Sequence, residues 1–241
     1  MDIKVFRDVL EHDAVFARKT RDDLRTTGTL CLNVIGAPGC GKTSFVRALV
    51  ALSADRLRCG VIIGDITSQL DAERFAPLEI PVVQLNTGGA CHLEARLARR
   101  GFESIDLADL DLVIVENVGN LACPAEFDLG EDIKISMVSV TEGHDKPSKY
   151  PLLFHHAGCH VLSKTDLAPF VDFDRAAYEA ALKATGHDAP VFPVCAKSGD
   201  GLPEFLDWVV KQLDAKRTGM LPEPGFAIHA HAGGHEHPHR H

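Results

Sequence analysis

Apolar and polar positions along this chain change period several times. Between residues 3 and 25 the apolar positions recur in a helical rhythm among charged ones (Ile3, Phe6, Val9, Leu10, Val15, Phe16), which predicts one or two helices. After Thr26-Thr27-Gly28, the segment "TLCLNVIG" (29–36) is short and apolar throughout, as in a parallel strand buried on both faces. "SFVRALVAL" then returns to a helical period. Further on, "CGVIIGDI", "IPVVQLN", "LDLVIVEN", "IKISMVSVTE", "GCHVLSK" and "PVFPV" predict strands. Between and after them, "DAERFAPL", "HLEARLARR", "FDRAAYEAALKATG" and "LPEFLDWVVKQLDAK" predict helices. Apolar strands alternating with helices predict an α/β fold, a mostly parallel sheet with helices on both faces. Ligands in such sheets bind beyond the carboxyl ends of the strands.

The alternation stops at Lys216. Residues 217–241 hold three prolines, four glycines and six histidines (His229, His231, His235, His237, His239, His241), too little apolar surface to order a segment. The expected organisation is one domain over residues 1–216, with residues 1–27 as its helical extension, followed by a flexible histidine-rich tail whose neutral imidazoles would bind a divalent ion such as Ni²⁺ weakly. With 241 residues, 45% of them hydrophobic, the chain can bury a full core.

Composition narrows the function classes. A formal charge of −9 argues against nucleic acid, whose phosphates demand a basic surface. No apolar run reaches the roughly 18 residues of a membrane helix, and the mixed charges of the N-terminus do not form a signal peptide. Seven cysteines without framework spacing read as reduced thiols of a cytoplasmic protein.

The first strand-to-helix junction carries "GAPGCGKT" (36–43), which matches the phosphate-loop pattern G-x-x-x-x-G-K-S/T in its proper context. Gly36, Gly39, Cys40, Gly41 and Ser44 would contribute through the loop and the helix start, with only the backbone of Cys40 required. Lys42 would reach the β and γ phosphates. Thr43 would ligate Mg²⁺, completed by Asp65 and Glu116, which end two other predicted strands. "ENVG" (116–119) resembles the Asp-x-x-Gly element of GTPases with Glu for Asp, so Gly119 would sense the γ-phosphate. Asp71 would either orient the attacking water or cap the following helix.

"VLSKTDL" (161–167) resembles the Asn/Thr-Lys-x-Asp guanine element. A carboxylate at Asp166 can accept from guanine N1–H and the exocyclic amine, whereas adenine would leave it unpaired. Lys164 would lie along the base, and "CAKSG" (195–199) would bring Ala196 N–H to guanine O6 beside Lys197. Ser163 departs from the usual Asn; its shorter side chain is expected to lose a contact that ties this loop to the base and the phosphate loop, relaxing the guanine preference somewhat.

"NTGGACHLEA" places Cys91 beside His92, a pair that reads as core and capping residues or as soft metal ligands. Neighbours on a helix diverge by about 100°, so chelation needs the pair at a helix start or in a loop. Thiolate and imidazole suit Ni²⁺ or Zn²⁺. Cys31, Cys59, Cys159 and Cys195 read as buried small hydrophobes.

Together with "ENVGNLACP" and the segment up to Pro151, this stretch resembles the HypB family of GTPases, which deliver nickel during maturation of nickel–iron hydrogenases and in some cases serve urease. The resemblance spans about Glu11 to Lys211. It implies a slow, Mg²⁺-dependent GTPase whose GTP-bound form dimerises, with Cys91, His92 and Cys123 as the Ni²⁺ or Zn²⁺ ligands at the dimer interface. It also implies partners among the other hydrogenase-maturation proteins, including a nickel-delivery accessory protein. An N-terminal histidine-rich or Cys-x-x-Cys nickel motif, frequent in that family, does not occur here. Cys123 lies four residues past Gly119, at most about 14 Å of extended chain, so a γ-phosphate contact at Gly119 would move a ligand. Alternatives are a nickel store with a vestigial nucleotide site, a P-loop kinase, and a urease-type nickel GTPase. The last carries Cys-Pro-His, whereas Cys91 and His92 adjoin.

Overall fold

In the computed structural model, residues 4–65 and 73–225 are described. Asp71 and the six tail histidines lie outside them, so the roles expected of those residues stay expectations. The N-terminal segment forms a single helix, α1 (Lys4–Thr27). Seven strands follow: β1 (Leu30–Gly36), β2 (Cys59–Asp65), β3 (Val82–Asn86), β4 (Leu112–Glu116), β5 (Ile133–Ser139), β6 (Ala157–Ser163) and β7 (Val191–Pro193). They build one parallel sheet in the order β3-β2-β4-β1-β5-β6-β7. The parallel α/β architecture expected from the alternating pattern is therefore present.

The central strands are buried along their whole length, whereas the edge strands β3 and β7 are mostly half-buried. On one face Leu30, Leu32 and Val34 of β1 pack with Phe45, Val46 and Leu49 of α2 (Lys42–Ser53) and with Phe205, Leu206 and Val209 of α8 (Leu202–Arg217). On the other, Cys31, Val113 and Val115 meet Leu24 of α1 and Ala98 and Phe102 of α3 (Ala95–Glu103). Successive strand residues point to opposite faces, so one short apolar run feeds both layers. Cys31, Cys59, Cys159 and Cys195 are buried, as expected.

The helices depart from expectation where turn chemistry intervenes. "HLEARLARR" becomes helical only at Ala95, because Glu94 is extended; Cys91 and His92 therefore sit in the preceding loop. Of "DAERFAPL", the 3₁₀ turn Ala76–Leu78 forms around Pro77, which lacks an N–H to continue a helix. Three short helices carry no periodic signal: α4 (Cys123–Glu126), α5 (Lys146–Lys149) and α6 (Pro151–His156), each with a proline in its first turn. The remaining helix, α7 (Arg175–Ala184), starts under the side chain of Asp174, which accepts from Ala177 N.

The order of strands positions the chemistry. β1 lies between β4 and β5, with β2 beyond β4, so Gly36, Glu116 and Asp65 end adjacent strands at the same edge of the sheet. The chain moves from one side of β1 to the other between β4 and β5, a crossover point at which parallel sheets open a crevice.

Candidate functional site

The phosphate loop connects β1 to α2. Gly41 precedes the helix at φ 101°, a left-handed conformation that other residues adopt only under strain. Lys42 is buried and its Nζ donates to the carbonyls of Gly36 (2.9 Å) and Ala37 (3.2 Å), so the ammonium sits inside the loop. The Thr43 hydroxyl donates to Glu116 Oε1 at 2.7 Å, bringing together two of the expected magnesium ligands. A cleft of about 570 Å³ opens here, lined by Gly41, Lys42, Thr43, Asp65, Glu116 and Gly119. A hydroxyl and two carboxylates form the hard oxygen set that Mg²⁺ accepts. Ser44 lies exposed at the same cleft. Arg74, which the sequence pattern did not single out, also lines it. Cys40 is fully buried, and burial pushes its thiol up to about 11; it fills space beneath the loop as a neutral thiol.

The two expected base-recognition loops meet at the ends of β6 and β7. Thr165 N donates to Val194 O at 3.3 Å, joining the segment that carries Asp166 to the one that carries Ala196 and Lys197. Asp166 and Lys197 are exposed and Ala196 half-buried. Lys164 takes φ 56° and its Nζ donates to Gly39 O at 2.6 Å. For the phosphate loop, the expectation for Ser163 is corrected. Its buried hydroxyl donates to Cys40 O at 2.7 Å, so the short side chain does tie this loop to the phosphate loop. Ser163 ends β6 opposite Ser139 of β5, and from that position its hydroxyl reaches the phosphate loop directly.

The third cluster is Cys91, His92 and Cys123. Their donor atoms all lie within 4.8 Å of one another, and Cys91 Sγ is 3.6 Å from His92 Nδ1. Among the described residues this is the group of three His, Cys, Asp or Glu donors that is close enough to share one ion. His92 stacks on Phe127, with ring centroids 3.7 Å apart and planes at 17°. Its partial burial lowers the imidazole pKa, which keeps it neutral and available as a ligand. The Cys91 thiol is raised, first by its hydrogen bond with Cys123, so a metal ion entering here would displace protons. Two thiols and an imidazole are soft and borderline donors that suit Ni²⁺ and Zn²⁺ and leave a position open.

Tertiary contacts that local pattern could not reveal hold this cluster. Asp13 of α1 accepts from Ala95 N and Arg96 N, both at 3.0 Å, and so caps α3 from a distant part of the chain. Asn120 donates to Cys91 O at 3.3 Å and accepts from Ala122 N at 3.0 Å, bridging the Cys91 loop to the residue before Cys123. Buried Asn117 accepts from Leu93 N and Val118 N and donates to Asn33 Oδ1 of β1. A Cβ at Gly119 would lie 3.0 Å from Pro38 Cγ and 3.2 Å from Pro38 N, so the "ENVG" turn rests directly on the phosphate loop. The phosphate cleft and the Cys/His cluster are thus joined by residues 116–123.

Comparison with known proteins fits this geometry. The profile described as "CobW/HypB/UreG, nucleotide-binding domain" matches residues 30–193. The hydrogenase maturation factor HypB of Azotobacter chroococcum mcd 1 is 40% identical over 219 residues, covering 91% of this chain and 72% of that protein. The crystal structure of HypB from Helicobacter pylori in complex with nickel superposes with a TM-score of 0.81 at 29% identity, covering 88% of this chain and 98% of that one. HypB from Archaeoglobus fulgidus gives 0.79 at 35% identity, covering 85% and 100%.

Proposed function

Because the chain belongs to the HypB family of P-loop nucleotide-binding proteins, we propose that it is a GTP-hydrolysing metallochaperone that assists nickel insertion into a nickel–iron hydrogenase. The observation that carries this reading is the juxtaposition of Cys91, His92 and Cys123 with a phosphate cleft, through residues 116–123. Residues 1–216 act as one GTPase unit in this proposal, and the histidine tail buffers Ni²⁺.

The roles follow from the donor chemistry. Lys42 neutralises charge on the β and γ phosphates, and the loop N–H groups hold their oxygens. Thr43, Asp65 and Glu116 would hold Mg²⁺, which when bound would supply positive charge against the developing negative charge of the phosphoryl group. Asp166 and Ala196 select guanine, while Lys164 and Ser163 lock the base loop onto the phosphate loop. Water attacks the γ-phosphorus and the bond to the bridging oxygen breaks, giving GDP and phosphate; Asp71 orients that water. Gly119 N–H faces the γ-phosphate, and its movement is transmitted to Cys123 four residues on.

Ni²⁺ is cargo in this scheme. Three ligands per chain leave coordination incomplete, so GTP-driven pairing of two copies would complete the set, and hydrolysis would release the ion to a maturation partner in the cytoplasm. Zn²⁺ suits the same donors. Sedimentation velocity with GDP or a non-hydrolysable GTP analogue, each with and without Ni²⁺, tests the scheme in wild type and Cys91→Ala. The expected result is a dimer with the analogue, strengthened by Ni²⁺ only in wild type. A monomer under all conditions would overturn it.

A further inference from the structure

His92 lies in a loop, where no helical turn restricts its side chain, and among the described residues its ring nitrogens meet one hydrogen-bond partner, the Cys91 thiol. A metal-ligating histidine is usually steadied by a carbonyl or carboxylate. Here an aromatic ring takes that place. His92 and Phe127 stack with centroids 3.7 Å apart and planes at 17°, and in this rotamer Nδ1 lies 3.6 Å from Cys91 Sγ. A tetrahedral ion with bonds of about 2.1 Å to nitrogen and 2.3 Å to sulfur sets those two atoms roughly 3.6 Å apart. The stacked rotamer therefore matches the ligating one without rearrangement.

Phe127 is itself held from the sheet. It follows α4 as its C-cap, so the ring and Cys123, which opens that helix, belong to one short segment. Lys134 of β5 donates through Nζ to Ala125 O at 2.9 Å and to Phe127 O at 2.8 Å. Its ammonium is 3.9 Å from the Glu131 carboxylate, and both side chains are buried. Glu131 accepts in turn from Asn33 Nδ2 at 2.9 Å and Leu129 N at 2.7 Å. Asn33 is the residue whose Oδ1 accepts from Asn117, so the chain of bonds starts at the turn that follows Glu116. A buried ion pair adds little net stability, because desolvation offsets its attraction. Placed against the Phe127 carbonyl, this one fixes where the ring stands.

We propose that Phe127 is a positioning residue for the metal ligand His92: its ring, anchored through its own carbonyl to Lys134, keeps the imidazole turned toward the thiols. The proposal rests on the reading of Cys91, His92 and Cys123 as a Ni²⁺ site. Without the ring, His92 samples rotamers that point away from Cys91, and apparent affinity falls with the fraction of chains in the ligating rotamer.

The test is titration of the full chain with Ni²⁺, followed through the thiolate-to-nickel charge-transfer absorption, which the imidazoles of the tail do not produce. Phe127→Leu should raise the apparent Kd roughly 2- to 12-fold, the scale of one aromatic stack. Phe127→Tyr, which keeps a ring, should retain the wild-type value. In a His92→Ala background, Phe127→Leu should cause no further loss. A wild-type Kd in Phe127→Leu, an equal loss in Phe127→Tyr, or the same loss with and without His92 would overturn the positioning role alone. A wild type without a thiolate band, or with one that Cys91→Ala leaves unaltered, would overturn the metal reading and this proposal with it.

Discussion

The side-chain oxygen of Asn117 accepts the backbone N–H of Leu93 at 3.3 Å, so the residue after Glu116 is bonded to the residue after His92. The same amide donates to Asn33 Oδ1 at 3.1 Å, anchoring the junction to the strand that launches the phosphate loop. Asn117 is 2% exposed, so this link between the two loops is shielded from water. Asn117→Ala is predicted to leave Leu93 N–H and Asn33 Oδ1 without this partner, costing roughly 1–3 kcal/mol of stability. Its functional signature is separate. Ni²⁺ affinity measured with GDP and with a GTP analogue should differ in wild type and converge in the variant. An undiminished difference would remove Asn117 from the coupling.

Lys42→Ala is predicted to lower GTP turnover by at least about 100-fold, the scale expected when a preorganised charge on transferring phosphoryl groups is lost. Phosphate release under saturating GTP measures it. Ni²⁺ uptake by the tail histidines should persist in this variant, since they are distant in sequence from the phosphate loop. Unchanged turnover would refute the role given to Lys42.

Ser163→Ala removes the 2.7 Å bond to Cys40 O and leaves a buried carbonyl short of its donor. The expected loss is about 1–2 kcal/mol in GDP binding, or roughly 5- to 30-fold in Kd. Calorimetric titration with GDP checks this, and wild-type affinity in the variant would show that the bond is dispensable.

His160 is buried, with Nδ1 2.7 Å from Ser136 Oγ, and desolvation lowers its pKa to about 4. Above pH 6.5 the imidazole is neutral in both folded and unfolded chains, and its contribution to stability is fully present. As pH falls from 6.5 towards 4, the unfolded chain takes up a proton that the folded chain refuses, so stability is lost. The difference amounts to about 3 kcal/mol across that window. Urea unfolding of wild type and His160→Gln at pH 7.5, 6 and 5 isolates the effect from buried carboxylates such as Asp132, whose raised pKa acts in the opposite sense. A wild-type minus variant difference that stays flat with pH would refute this assignment.

Much of the fold was legible because each strand announces itself in a short apolar run, and each long helix in a 3.6-residue period. The phosphate loop was equally legible, since its glycines, lysine and threonine act within eight consecutive residues. One-turn helices such as α4 were not, because four residues carry no period and proline starts are ambiguous. Side-chain length alone does not give the Ser163 contact, which joins residues 123 positions apart through the tertiary placement of β6 against the phosphate loop.

By itself, the sequence determined the parallel α/β architecture and the nucleotide loop, which reside in local spacing and in the chemistry of single side chains; Cys91, His92 and Cys123 were implied as a donor set by the resemblance of their segments to the HypB family. Only the tertiary structure decided that the three donors converge within 4.8 Å, that Asp13 caps α3 from 82 residues away, and that Asn117 bonds the two loops. Such pairs join positions whose relative placement comes from sheet order and strand register, and no period along the chain records which distant residues those will bring together.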